Sequence, residues 1–98
     1  MAIKIICIQR ENSFENPYDG ITHVGWIEDS TGKRGQSTIN EMVRFIEQYG
    51  NTVAYVEEGG KRSYVSVISS VFTARKSIRT YAGNEFTDAL LRLPDCAS

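Results

Sequence analysis

Residues 51–70 read NTVAYVEEGGKRSYVSVISS, two runs rich in Val, Tyr and Ile around Gly59-Gly60. A Gly-Gly pair suits the two φ > 0 positions of a type I′ turn, so the stretch is predicted to be one β-hairpin. With the glycines as the loop, Glu58 faces Lys61, Glu57 faces Arg62, Tyr55 faces Tyr64 and Ala54 faces Val65. Two opposite-charge pairs and one aromatic pair favour that register. Alternation then places Ala54, Val56, Val65 and Val67 on one face, and Tyr55, Glu57, Arg62, Tyr64 and Ser66 on the other. The aliphatic face needs a cover. The tyrosine face either lies under the loop before strand two or the C-terminal segment, or it is open and can stack bases or anchor a protein.

The cover stands immediately upstream. Thr38-Ile39-Asn40-Glu41 has the form of a capping box, and Ile39, Met42, Val43 and Ile46 follow at i, i+3, i+4 and i+7. Gly50 supplies the stop. Before the helix, Ile3 to Gln9 is apolar at nearly every position and reads as strand one, central or covered on both faces. Arg10 to Gly20 holds Asn12, Ser13, Asn16-Pro17 and Asp19-Gly20 and reads as a loop. ITHVGWIE, Ile21 to Glu28, alternates as strand two, with Ile21, His23, Gly25 and Ile27 on one face and Thr22, Val24, Trp26 and Glu28 on the other. Asp29 to Gly35 is predicted to be a polar connection.

After the hairpin, a turn at Arg75-Lys76 precedes a fifth strand at Ser77 to Tyr81. Ala82-Gly83-Asn84 breaks it, and Phe86 to Leu93 is a short helical or irregular segment whose leucines plug the core, ended by Pro94. The predicted fold is α+β over residues 1–98 as a single small domain. It is an antiparallel sheet of about five strands in the order β-β-α-β-β-β-α, with one main helix on one face.

Composition bounds the function. The 98 residues, 41% hydrophobic and 23% charged, suffice for one core, and the net charge of −1 supplies no global attraction to nucleic acid or membrane. Charge is segregated, however. Residues 11–32 carry five acids and no Lys or Arg, whereas residues 59–84 carry Lys61, Arg62, Arg75, Lys76 and Arg79 and no acid. Such a division suits solvated faces of both signs, an anionic partner, or a homodimer joining acidic and basic segments. Two cysteines, Cys7 and Cys96, in a chain whose opening apolar run is too short for a signal h-region or a membrane span, point to free thiols in the cytoplasm.

Several of these residues together carry a family resemblance. Ile21-Thr22-His23-Val24-Gly25-Trp26, the Gly-Gly hairpin, Ile78-Arg79-Thr80, and Asp88-Ala89-Leu90-Leu91 running into Leu93-Pro94-Asp95-Cys96 resemble a family of small bacterial proteins known as a domain of unknown function. The resemblance spans roughly Ile3 to Cys96. Typical members have Asn where this chain has Ala89, so no side-chain amide carries over there. The resemblance implies a stand-alone domain and brings no activity with it.

No catalytic constellation stands out. His23 is the single histidine, and with two distant cysteines it has no zinc-ligand spacing; neither a metal nor a cofactor is predicted. A His23/Cys96 nucleophilic pair requires the C-terminus to fold back on strand two, and no catalytic signature surrounds Cys96. Gly32-Lys33-Arg34-Gly35 lacks phosphate-loop spacing. The sequence therefore predicts a non-catalytic binding module, a small regulator or inhibitor that contacts a protein through Tyr55, Lys61, Arg62, Tyr64, Arg75, Lys76 and Arg79. Nucleic-acid binding by the same basic tyrosine face is the first alternative, and a small enzyme with His23 and Cys96 the second. No membrane contact is predicted.

Overall fold

The computed structural model describes residues 2–11, 20–50, 52–69, 76–83 and 85–96. Strands β1 (Ile3–Arg10), β2 (Ile21–Glu28) and β3 (Arg34–Thr38) precede helix α1 (Ile39–Tyr49). Strands β4 (Ala54–Glu58), β5 (Lys61–Ser69), β6 (Lys76–Ala82) and β7 (Glu85–Thr87) follow, and a 3-10 helix occupies Ala89–Arg92. One seven-stranded sheet results, in the order β3-β2-β1-β4-β5-β6-β7.

The central hairpin has the expected register. Tyr55 pairs with Tyr64, Glu57 with Arg62 and Glu58 with Lys61. Gly59 and Gly60 take φ of 55° and 82°, the left-handed pair that a type I′ turn requires. Helix α1 starts as its residues dictate: Glu41 N–H donates to Thr38 Oγ1 at 3.2 Å, and Thr38 N–H donates to Glu41 Oε1 at 2.9 Å. Met42, Val43 and Ile46 are buried on its stripe, and Gly50 N–H closes the helix on the Ile46 carbonyl at 2.7 Å.

The expectations for the sheet and for the cysteines are corrected. The sheet has seven strands rather than about five, because Arg34–Thr38 and Glu85–Thr87 also pair, at its two edges. Neither edge strand carries an apolar run, since an edge beside polar surroundings needs none. The sheet is also mixed rather than wholly antiparallel. β1, β2 and β3 form a meander, α1 returns the chain across one face, and β4 must then run in the direction of β1, with Ile3 opposite Ala54 and Lys4 opposite Tyr55. Finally, Cys7 and Cys96 are a disulfide, with 4.9 Å between their Cα atoms, and not free thiols. The C-terminal segment lies parallel to β1 at Ile8 and Asp95, where Ile8 N–H donates to the Pro94 carbonyl and Cys96 N–H to the Ile8 carbonyl. Gly25, opposite Cys7 on β2, makes the room, because a Cβ there would overlap Cys7 Sγ.

The predicted turn at Lys76 is instead the start of β6. Arg75 and the greater part of the loop after β1, including Pro17, lie outside the described residues. A single core joins Ile3, Ile5, Ile8, Val24, Ala54, Val56, Val65 and Ile78 of the sheet to Met42, Val43 and Ile46 of α1 and to Ala89 and Leu90. Both helical elements therefore pack on one face of the sheet. No described helix is long and apolar enough to cross a membrane.

Candidate partner-binding sheet face

Strand alternation assigns each side chain to the core face or to the opposite one. Register carries the assignment from β4 to β7: Tyr55 is opposite Tyr64, Tyr64 opposite Tyr81, and Tyr81 opposite Phe86. Four aromatic rings from four strands therefore form one row on the face that α1 does not cover. Tyr55 and Tyr64 meet edge to face at 6.4 Å, and Tyr81 and Phe86 at 6.5 Å. Each contact suits the ring quadrupoles, positive edge against negative face.

A guanidinium sits at each end of the row. Arg62 lies 4.1 Å over the Tyr55 ring and Arg79 lies 4.6 Å over the Phe86 ring. Stacking holds these two planar groups in place, and the Arg62 side chain is 47% exposed, so that its guanidinium edge faces solvent. Arg62 also approaches Glu57 at 3.8 Å, a pair with both side chains well exposed and hence of small energetic value.

Exposure is graded along the row. Tyr55 is buried, and its hydroxyl donates to the Asp29 carboxylate, with oxygens at 2.8 and 2.9 Å. Burial, followed by that bond, raises the Tyr55 hydroxyl above the usual phenol range, so it stays a donor at neutral pH. Tyr64 and Tyr81 are half-buried, and Phe86 is 54% exposed. Beside Tyr81 and Phe86 is a depression of about 320 Å³, lined also by Ser66, Ile68 and Gly83.

The structure thus brings Tyr55, Arg62, Tyr64 and Arg79 together. It does not bring Lys61 or Lys76 with them. Lys61 shares the parity of Val65 and faces Glu58, while Lys76 shares the parity of Ile78 and bonds Glu47 of α1 at 2.7 Å. Arg75 is outside the described residues. Tyr81 and Phe86 are additions that the sequence reading lacked. The signal for Tyr81 was present, since Ile78 on the core side sends Arg79 and Tyr81 to the other.

The remaining candidates sit elsewhere on this face. His23 is half-buried, with Nδ1 3.0 Å from Thr22 Oγ1. Cys96 Sγ is bonded to Cys7, which corrects the proposed His23/Cys96 pair: that sulfur is not a thiolate nucleophile here. Among the described residues no group of three or more His, Cys, Asp or Glu is placed to hold a metal. No family model, curated protein or solved structure matches the chain.

Proposed function

We propose that the protein is a non-catalytic binding module that takes a protein partner on the face formed by Tyr64, Tyr81, Phe86, Arg62 and Arg79, and so regulates or inhibits it. The observation that carries this reading is the aromatic row, bracketed by two stacked guanidiniums, on the sheet face opposite both helical elements. Tyrosine and arginine are the residues that anchor protein interfaces, because each adds a large contact area and a polar end at modest entropic cost. The exposed Arg62 guanidinium favours a partner with a carboxylate beside apolar groups. The likeness to small bacterial stand-alone domains and a cytoplasmic place of action belong to the same proposal.

Single-stranded nucleic acid is the second reading, favoured by the same rings as a stacking platform. A net charge of −1, with Glu57 on the face itself, gives that reading less support than a protein partner.

The test is capture from host lysate with and without nuclease. It compares wild type with a folded Arg62→Ala, Phe86→Ala variant and with Tyr49→Ala, a control at an exposed aromatic on α1. A protein retained by wild type and the control but lost by the face variant, nuclease notwithstanding, is the expected result. Loss on nuclease treatment, with affinity falling steeply with salt, would move the assignment to nucleic acid. Equal capture by all three proteins would remove the face from consideration.

A further inference from the structure

The Cys7–Cys96 bond joins the first strand to the last described residue, and it lies outside the core. Both cysteines are half-buried, on the face opposite α1, over the Gly25 position that has no Cβ. The segment it tethers is attached at two separate levels. Ala89–Arg92 is seated by Leu90, which is fully buried, and by Arg92, whose Nε and Nη2 each donate to the Glu58 carboxylate at 2.7 Å. Pro94 to Cys96 rests on much less: two backbone hydrogen bonds to Ile8, at 3.0 and 2.9 Å, and the disulfide.

We propose that Cys7–Cys96 is a redox latch: oxidised, it holds Pro94–Cys96 on β1, and reduced, it lets that short strand leave while Ala89–Arg92 stays seated. A local opening follows from the division of anchors. The core cluster contains Leu90 and Ala89 but neither cysteine, so breaking the bond removes no buried apolar contact from it. Opening uncovers the N–H and C=O of Ile8, leaves the Cys7 thiol beside Gly25 and carries the Cys96 thiol away on the released segment. Partly exposed disulfides exchange with thiols more readily than fully buried ones.

The chemistry balances with a dithiol reductant. Its thiolate attacks one cysteine sulfur to give a mixed disulfide, and its second thiol displaces that sulfur to close the reductant's own disulfide. Two electrons and two protons end on the Cys7 and Cys96 thiols. This inference does not depend on the partner assigned above.

Residue-resolved amide exchange on the whole chain, before and after dithiothreitol, tests it. The Ile8 and Cys96 amides are expected to exchange at least ~10-fold faster after reduction, with Val65 and Ile78 unchanged, as in local opening of a low-stability unit. A Cys7→Ser, Cys96→Ser variant should show the reduced pattern without reductant. Equal exchange at Ile8 and Cys96 in both states would overturn the latch. So would a uniform rise that includes Val65 and Ile78, which would make the bond a global staple, or two titratable thiols in the protein as isolated under air.

Discussion

The two faces of the sheet from β4 to β7 are built from alternate residues of the same strands, yet they solve different problems. On one, Val56, Val65 and Ile78 are 0 or 1% exposed beneath α1, and apolar burial holds them. On the other, Tyr64 and Tyr81 are half-buried and Phe86 is mostly exposed, and ring geometry with stacked guanidiniums orders the surface. One face is closed by a helix; the other is ordered by its own rings and guanidiniums. Substitution should therefore cost stability on the first face and binding on the second.

The largest expected effect is on the closed face. Ile78→Ala removes a fully buried side chain and should lower unfolding free energy by about 2–5 kcal/mol through lost transfer and a cavity. Urea denaturation measures it. A loss below about 1 kcal/mol would mean that the core collapses around the site, and the contrast between faces would weaken.

Gly25→Ala probes the boundary between the faces. Its Cβ would overlap Cys7 Sγ and come within 3.1 Å of Cys96 Sγ, so the strand or the disulfide must shift. A cost of about 1–3 kcal/mol is expected in the oxidised protein, as for other overpacked sites. The cost should shrink in Cys7→Ser, Cys96→Ser, where the side chain at position 7 is smaller and no longer tethered and can rotate away from the new Cβ. Equal costs in both backgrounds would place the strain elsewhere.

Those two sites differ in how far the sequence discloses them. Ile78 could be read as core from strand alternation alone, as could the hairpin register and the capped helix, because each repeats a local period. Cys7 and Cys96 lie 89 positions apart, and nothing local states that Pro94–Cys96 lies along β1. β3 and β7 are silent for a related reason: edge strands such as Arg34–Thr38 carry no apolar face to betray them. The candidate site falls between these cases. Tyr55, Arg62 and Tyr64 follow from the hairpin, while Phe86 joins them through β6 and β7 pairing. Lys61 and Lys76 belong with them by charge alone, and strand alternation sends both to the other face.

A smaller effect attends the helix that closes the core. Thr38→Ala removes the hydroxyl that accepts the Glu41 N–H and should cost about 1 kcal/mol. Acid probes the same cap without substitution. The Thr38 backbone hydrogen bond, then its side-chain bond, lowers the Glu41 carboxyl pKa, and the Arg92 hydrogen bond likewise lowers that of Glu58. A depressed folded-state pKa contributes stability that is present above the ordinary carboxylate range and lost as pH falls through the folded value. Helix entry and the Arg92 tether should therefore both loosen below pH ~4, and the acid sensitivity should be smaller in Thr38→Ala and Arg92→Ala. A thermal-melt series between neutral and acid pH, unchanged by either variant, would discount both bonds.

The smallest stability effect should come from the residue with the largest proposed consequence for binding. Phe86 is 54% exposed, so its truncation forfeits little burial. What remains is the edge-to-face contact with Tyr81 and the stacking of Arg79, together under about 1 kcal/mol at an exposed site. Phe86→Ala should thus unfold within about 1 kcal/mol of wild type while partner affinity falls by at least about tenfold, the effect of losing an interface anchor. Phe86→Leu separates the two components of that loss, since it restores apolar area without a ring for Arg79 to stack on. Recovery of affinity by Leu would make the site a hydrophobic contact with bystander arginines. Failure to recover, with normal stability, would show that the partner requires the aromatic ring at this position rather than apolar area alone, and would set the open face apart from the closed one by chemistry as well as by exposure.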